Sequence, residues 1–234
     1  MLDDEVLATE RSGYATARSA PATPPVLSLL GRVTGLWRRV RRDSLRYQTL
    51  FIRCREDFPH LLNARSLLGV GVEVGVQYGY YSEVILSAWK GKTLYSVDPW
   101  AEFDSSVYDD VANGSQDSQE AIYQGTVQRL RRFGDRSRVI RATSTAAAER
   151  FGDGQLDFVY LDAQHHYEAV KEDIRAWCPK IRRGGVLAGH DYLDGQIDEG
   201  LFGVKSAVDE FAGITETRVV LSREKRWKSW FVFV

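Results

Sequence analysis

The sequence predicts an α/β protein with a mostly parallel sheet and helices on both of its faces. From Ser66 onward, β-branched apolar runs alternate with segments of helical periodicity, the first run is flanked by glycines, and the last two runs have no helix between them. Regular alternation of strands and helices is typical of parallel sheets, whereas strands joined directly pair antiparallel. We therefore expect a parallel sheet that ends in an antiparallel strand pair.

The predicted elements follow a regular order along the chain. Short apolar, β-branched runs predict five strands, at 70–76, 93–97, 138–141, 156–161 and 185–189. Apolar residues at three-to-four spacing predict the helices, at 80–89, 116–133, 144–150, 166–177 and 201–211. Pro179 ends the fourth of these helices, because proline cannot continue it. The last strands are predicted at 217–221 and 230–234, joined by a short charged turn.

The N-terminal region differs from the rest of the chain. Residues 1–25 are polar, alanine-rich and interrupted by three prolines, so we expect a mobile tail. Residues 26–64 repeat apolar side chains at helical spacing and carry many arginines, which predicts a helical extension. Its basic face is either a surface that packs on the core or on a second subunit, or a contact with an anionic surface.

Composition limits the class of protein. The chain has 234 residues and 44% hydrophobic content, enough for one sizeable α/β core. Its formal net charge of −1 provides no basic excess for binding nucleic acid. Two cysteines, Cys54 and Cys178, are too few for a disulfide framework and indicate a reducing compartment. Without an apolar run that could span a membrane or a recognisable leader, we expect a cytoplasmic protein.

The turn after the first predicted strand indicates a nucleoside cofactor. Glu73, Gly75 and Gly79 form an acid-x-Gly-x-x-x-Gly pattern, which differs from the G-x-G-x-x-G turn that cradles a pyrophosphate. A carboxylate at the strand end suits the ammonium of an amino-acid-bearing nucleoside. One strand later, Asp98 either reaches the ribose hydroxyls or caps its own turn. The alternative interpretation is an ordinary βα turn that binds nothing.

A second group of polar residues follows the fourth and fifth predicted strands. Asp162 and His165 follow the fourth strand, and His190 and Asp191 follow the fifth. If these strands are neighbours, about 4.8 Å apart, the four side chains can converge. Two carboxylates and two imidazoles can bind a divalent cation or remove a proton from a substrate. The histidines could also simply hold their loops through backbone hydrogen bonds.

Four segments together show a familiar pattern, in this order: Val72-Glu-Val-Gly75 with Gly79, Ser96-Val-Asp98, Leu161-Asp-Ala-Gln-His-His-Tyr167 with Asp173, and Gly184-Gly-Val-Leu-Ala-Gly-His-Asp-Tyr192. With them the chain resembles the class I S-adenosylmethionine-dependent methyltransferases, in particular methyltransferase family 24, near macrolide-sugar and aminocoumarin O-methyltransferases and cephalosporin-hydroxylase-like proteins. The resemblance implies a Rossmann-like seven-stranded sheet with the fourth and fifth strands adjacent. It makes residues 65–234 the methyltransferase domain.

The resemblance also implies roles for individual residues. Glu73 and Gly75 would lie against the methionine part of S-adenosylmethionine, and Asp98 would bind the ribose hydroxyls. Ser144 would lie near the adenine, although it could equally be the N-cap of the next helix. The whole predicted cofactor-binding set comprises Glu73, Gly75, Gly79, Asp98, Ser144 and Asp162.

The sequence is compatible both with a metal-dependent site and with a metal-free one. The related sugar O-methyltransferases hold magnesium with an aspartate after strand four and an acidic pair after strand five. Here Asp162 takes the first place, but His190 and Asp191 take the second. Magnesium prefers oxygen ligands, so this difference weakens the analogy. Either Asp162, His190 and Asp191 hold Mg²⁺ or another divalent cation, or the site is metal-free with His165 or His190 as general base.

The resulting hypothesis is an S-adenosylmethionine-dependent enzyme that O-methylates a small-molecule hydroxyl, on a sugar or a natural product. The competing hypotheses are an NAD-type oxidoreductase, which the turn spacing and terminal strand pair disfavour, and a non-catalytic cofactor-binding or assembly protein. The expected partner is the small-molecule acceptor, with no nucleic acid and no membrane span. The appended amphipathic helix makes a homodimer reasonable.

Overall fold

The computed structural model of the chain describes residues 52–104, 113–198 and 200–234. The predicted tail and most of the predicted N-terminal helix lie outside these residues. The strands are β1 (Val70–Val74), β2 (Thr93–Asp98), β3 (Ser137–Arg141), β4 (Leu156–Leu161), β5 (Ile181–Gly189), β6 (Asp194–Ile197), β7 (Gly200–Gly203), β8 (Val220–Leu221) and β9 (Trp230–Phe233). The helices are α1 (Phe58–Ala64), α2 (Tyr80–Ala88), α3 (Gln116–Leu130), α4 (Ser144–Ala148), α5 (Tyr167–Trp177) and α6 (Val204–Thr215). None of these described helices combines the length and apolar composition needed to cross a bilayer.

Seven of the strands form one sheet in the order β3-β2-β1-β4-β5-β9-β8. The pairs from β3 to β5 are parallel, whereas β9 pairs antiparallel with both β5 and β8. The predicted Rossmann-like parallel sheet with an antiparallel C-terminal pair is therefore confirmed. So is the adjacency of β4 and β5, whose register aligns Leu161 with Gly189.

The segment after β5 differs from the prediction. No strand was predicted between the strand at 185–189 and the helix at 201–211. A separate hairpin of β6 and β7 instead includes the start of that predicted helix, and α6 begins only at Val204. Tertiary contacts explain the difference. The backbone N–H of Gly203 donates to the carbonyl of His165 at 2.8 Å. A Cβ on Gly203 would lie 2.6 Å from that of Tyr167, so the hairpin needs glycine at this close approach.

Side chains alternate along the central strands and build a core on each face of the sheet. Val159 and Leu161 of β4 face the cluster that includes Trp177 of α5, whereas Phe158 and Tyr160 face the other cluster. Strands buried on both faces are expected in a parallel sheet covered by helices. Both faces of β4 are thus closed, and ligands can approach mainly at the strand ends.

Helix α1 covers one face of the sheet and fixes the chain that precedes β1. Phe58 is fully buried, and its ring centroid lies 5.3 Å from that of Phe158, 5.4 Å from that of Tyr160 and 5.5 Å from that of Phe231. Such aromatic clusters contribute packing energy beyond the area that they bury. The contacts hold the short 3₁₀ helix Arg55–Asp57, directly before α1, near the carboxyl end of β4.

Candidate active site

A cavity of about 580 Å³ lies at the carboxyl ends of the parallel strands. Its lining includes residues that end or follow β1, β2, β3 and β4, which is the edge where open α/β sheets bind ligands. The predicted site residues that line it are Glu73, Gly75, Asp98, Ser144, Asp162, His165 and Asp191. Gly79 and His190 are absent from this lining. His190 instead borders a small adjoining space of about 10 Å³.

The two predicted glycines have different structural roles. Gly75 has a φ of +85°, and a Cβ there would lie 2.0 Å from the backbone oxygen of Asp162. Only glycine allows the turn after β1 to lie against the end of β4 in this way. Gly79 has a φ of +74° and begins α2, where a Cβ would lie 2.8 Å from Cγ2 of Thr126. Gly75 therefore shapes the cavity, and Gly79 packs α2 against α3.

Asp98 caps the turn after β1 and faces the cavity at the same time. One carboxylate oxygen accepts hydrogen bonds from the backbone N–H groups of Val76 and Gln77, both at 2.9 Å, and the other accepts one from Trp100 at 2.8 Å. Burial raises the pKa of Asp98, and these donors act in the opposite direction. A carboxylate offers about four lone-pair sites, so capping the turn leaves capacity for a ligand hydroxyl.

Glu73 lies at the buried end of the cavity. Its side chain is 1% exposed and accepts a short hydrogen bond from the hydroxyl of Ser82. Burial raises the pKa of Glu73 to about 8, although the hydrogen bond from Ser82 and the charge of Arg55 oppose the shift, so its carboxyl group is mainly protonated at neutral pH in the ligand-free protein. The prediction from the sequence took Glu73 to be a carboxylate. The structure instead indicates a group that ionises when a positive charge approaches.

Ser144 belongs to a buried polar network and does not cap a helix. The N-cap of α4 is Thr143, so the alternative role of Ser144 as N-cap is wrong. Its hydroxyl accepts a hydrogen bond from Nε1 of Trp177 at 2.9 Å. Asp173, which also lines the cavity, has its pKa raised to about 6 by burial, while its hydrogen bond with Ser144 opposes the shift. The sequence analysis gave Asp173 no site role, since it lies mid-helix.

Asp191 joins the two histidines. One carboxylate oxygen lies 3.0 Å from Nε2 of His165, and the other lies 2.7 Å from Nδ1 of His190. Burial alone would raise the pKa of Asp191, but the two neighbouring imidazoles hold it well below its usual range. The structure thus brings together residues that follow β4 and β5, as the sequence predicted. Asp191 fixes the orientation of both rings.

Asp162 is paired with a residue that the sequence analysis missed. Its Oδ2 lies 3.3 Å from Nη2 of Arg55, and its Oδ1 lies 4.0 Å from Nδ1 of His190. Burial raises the pKa of Asp162, and the guanidinium of Arg55 opposes that shift. Arg55 lies within the predicted N-terminal extension, and no role was predicted for it. No motif surrounds it, and only the packing of α1 shows that it reaches the cavity.

Comparison with protein families decides the classification. The model of methyltransferase family 24, described as a methyltransferase domain, matches residues 72–192, more than half of the chain. The chain belongs to this family. The family match begins within β1 and ends just after Asp191, so it contains the whole predicted site but not Arg55. The predicted membership of the class I S-adenosylmethionine-dependent methyltransferases is confirmed.

Individual relatives support the fold of this family 24 protein. It is 25% identical over 155 residues to the uncharacterized protein y4gI of Sinorhizobium fredii, and that match covers 66% of this chain but only 16% of y4gI. Three solved structures resemble it. A candidate rRNA methylase from Clostridium thermocellum has a TM-score of 0.56 and 13% identity, over 79% of this chain and 97% of that one. An O-methyltransferase family protein from Burkholderia thailandensis has a TM-score of 0.54 and 13% identity, over 76% of this chain and 54% of that one. The third structure is the O-methyltransferase TomG of Streptomyces achromogenes, which is involved in tomaymycin synthesis and was solved with S-adenosylmethionine. It has a TM-score of 0.51 and 17% identity, over 77% of this chain and 79% of that one.

The donor atoms of the family 24 site can be tested against a metal ion. Among the described residues, ligand atoms of Asp162, His165 and Asp191 all lie within 4.8 Å of one another. His165 therefore takes the place that the sequence analysis gave to His190. Two carboxylates with one imidazole fit an ion such as zinc or iron better than magnesium. An ion would also have to displace Arg55 from Asp162 and the imidazole of His165 from Asp191.

Proposed function

We propose that this family 24 protein is an S-adenosylmethionine-dependent O-methyltransferase that acts on a hydroxyl of a small molecule, on a sugar or natural product. One observation carries the proposal. A single cavity is lined both by Glu73, Gly75 and Asp98 and by the paired side chains of His165 and Asp191. A binding region for a nucleoside and a group that can move a proton therefore share one space.

The lining fits the expected cofactor. A volume of about 580 Å³ lies within the range of small-molecule sites. Asp98 offers acceptors for ribose hydroxyls, and Glu73 offers a carboxyl group that an ammonium would ionise. Two further polar side chains line the cavity, Ser144 from the segment after β3 and Asp173 from α5. When bound, S-adenosylmethionine supplies a sulfonium methyl group to a nucleophile.

His165 is the better candidate for the general base. An alcohol has a pKa far above 7, so its oxygen becomes a good nucleophile only as its proton leaves. His165 lines the main cavity, whereas His190 does not. With Nε2 of His165 paired with Asp191, the proton would move from the acceptor hydroxyl to Nδ1 of His165. Asp191 would hold the ring in place and stabilise the imidazolium that forms.

A metal-assisted version of the same reaction is the second candidate. The observation that favours it is the close grouping of ligand atoms from Asp162, His165 and Asp191. These residues would hold a divalent cation, which would lower the pKa of an acceptor hydroxyl bound beside it. The oxygen-only set that suits magnesium is incomplete here, so the predicted magnesium site is the weaker form of this candidate.

An NAD-type oxidoreductase and a non-catalytic binding protein can each be separated from a methyltransferase by a simple measurement. The oxidoreductase loses support from the family membership and from the turn after β1, whose sequence does not follow the G-x-G-x-x-G pattern. A non-catalytic protein would bind the cofactor but transfer no methyl group to any acceptor. The small-molecule acceptor, the lack of a nucleic acid partner, the homodimer and the cytoplasmic location stay predictions.

Ligand-dependent melting tests the proposal. S-Adenosylmethionine and S-adenosylhomocysteine should raise the melting temperature of the wild-type protein, and NADH should not. Asp98→Ala should reduce that shift because the carboxylate beside the ribose is lost. Asp135→Ala is the matched control, since Asp135 has a 99% exposed side chain and does not line the cavity. No shift with either adenosyl ligand in the wild-type protein would refute the assignment.

A further inference from the structure

Arg55 places a positive charge inside the candidate active site. Its side chain is 24% exposed, and Cζ lies 4.0 Å above the ring of Tyr81. Its guanidinium contacts the carboxylate of Asp162 at 3.3 Å. Among the described residues that line the cavity, Arg55 is the only lysine or arginine. The cation therefore has a defined place, next to the end of β4.

Several elements hold Arg55 in this position. Its backbone N–H donates to the carboxylate of Glu224, between β8 and β9, at 3.3 Å. Its carbonyl accepts a hydrogen bond from the hydroxyl of Tyr81, in α2, at 2.9 Å. The next helix, α1, is anchored in the core by Phe58. The guanidinium is thus presented by a fixed backbone, which lowers the entropy cost of binding a ligand.

The expected cofactor carries an anionic group that a cation would suit. Its methionine end carries an ammonium and a carboxylate. Glu73, Asp98 and Asp162 line the cavity and can accept the ammonium and the ribose hydroxyls, but they offer nothing for a carboxylate. Arginine is the side chain that pairs best with carboxylates, because its planar fork can donate two parallel hydrogen bonds.

We propose that Arg55 binds the α-carboxylate of S-adenosylmethionine, with Asp162 keeping the guanidinium in place before the cofactor arrives. This inference rests on the proposed function, and it adds a cofactor-positioning residue that lies outside the family match. The competing explanation is that Arg55 only neutralises Asp162. The two differ in one respect, since only the first predicts that the effect of the ligand's carboxylate on affinity disappears when Arg55 is replaced.

A two-ligand, two-variant titration separates these explanations. The ligands are S-adenosylhomocysteine and its decarboxylated analogue S-adenosyl-3-thiopropylamine, and calorimetry gives the affinity of each. The wild-type protein should bind the carboxylate-bearing ligand about 10- to 100-fold more tightly, the range expected for a charge-assisted hydrogen bond. Arg55→Gln should lose most of this preference while binding the analogue about as well as the wild-type protein does.

A double variant controls for the stability that is lost when the Arg55–Asp162 pair is broken. Arg55→Gln leaves Asp162 without its cation, so Arg55→Gln/Asp162→Asn should recover stability but not the ligand preference. Should neither variant fold, equal affinity of the wild-type protein for the two ligands would still overturn the inference, and Arg55→Lys, which keeps the positive charge, takes the place of the two variants and should retain only part of the preference. Equal wild-type affinity for both ligands, or an unchanged preference in Arg55→Gln, overturns the inference. Failure of the wild-type protein to bind either ligand would instead refute the proposed function.

Discussion

The carboxylate of Asp191 lies 3.0 Å from Nε2 of His165, although the two residues follow different strands of the sheet. The contact follows from the register of β4 and β5, which pairs Leu161 with Gly189 and continues as a hydrogen bond from His190 N–H to the carbonyl of Leu161. Asp191 also adopts a φ of +52°, an uncommon value for a residue with a side chain. Two loops that are distant in sequence thereby share one polar centre.

Replacing the histidines should identify the general base. His165→Gln should reduce kcat/KM by about 10²- to 10⁴-fold, the usual contribution of a general base. His190→Gln is the matched comparison, and it should cost less because His190 lies outside the main cavity. Methyl transfer to the best acceptor found in a panel of sugar and natural-product alcohols provides the assay. A larger loss in His190→Gln than in His165→Gln would reverse the assignment.

Chelation should distinguish the two versions of the mechanism. Protein dialysed against EDTA should retain its turnover, because Arg55 already pairs with Asp162 and His165 with Asp191. Metal content and initial rate are measured on the same sample. Loss of turnover on dialysis, followed by recovery with zinc or manganese, would show instead that the cluster of ligand atoms holds an ion.

Glu73 should make the stability of the ligand-free protein depend on pH. Its pKa is about 8 in the folded state and near 4.5 when unfolded, so the folded state binds more protons in between. The free energy of unfolding contributed by Glu73 is therefore fully present below about pH 4.5 and lost as the pH rises towards 8. Its slope is at most about 1.4 kcal/mol per pH unit.

Subtracting the pH profile of Glu73→Gln from that of the wild-type protein isolates this contribution, since the other titrating groups cancel. Urea unfolding at several pH values between 5 and 9 supplies the two profiles. The difference should fall with increasing pH in the ligand-free protein. A difference that rises with pH would mean that Glu73 is ionised in the folded state.

The turn after β1 should not tolerate a side chain at Gly75. Gly75→Ala should lower the free energy of unfolding by more than about 1 kcal/mol and weaken cofactor binding, because the new Cβ would collide with the backbone of Asp162 at an unfavourable φ. Gly125→Ala is the control. Gly125 lies within α3 with open space around it, so alanine there should stabilise the protein by about 0.5–1 kcal/mol. Equal effects of both changes on binding would contradict this role of Gly75.

Much of the fold could be predicted because local patterns and long-range packing agree. The alternation of buried strands and amphipathic helices indicated the parallel sheet, and residues at strand ends, such as Asp98 and Asp162, fell at the cavity edge. The β6–β7 hairpin could not be predicted in this way. Leu201 and Phe202 continue the apolar spacing of α6, and only the structure shows that Phe202 stacks on His165, with ring centroids 4.4 Å apart.

The candidate site was predicted where it depends on strand ends and missed where it depends on packing. Arg55 reaches the cavity because α1 is anchored on the sheet, and no short motif contains that information. Asp173 faces the cavity from within α5, where helical periodicity alone looks structural. The raised pKa of Glu73 likewise results from its burial, which the residue type alone does not reveal.

The position of Arg55 outside the family match affects how relatives of this protein should be compared. Its supports are widely separated, with Glu224 near one end of the chain and the contact of Ile52 with Arg223 closing the same corner. A fragment trimmed to residues 72–192 would contain both aspartates and both histidines yet lack this corner. Alignments of family 24 proteins confined to the matched core would likewise leave out the arginine that we propose as the partner of the cofactor's carboxylate.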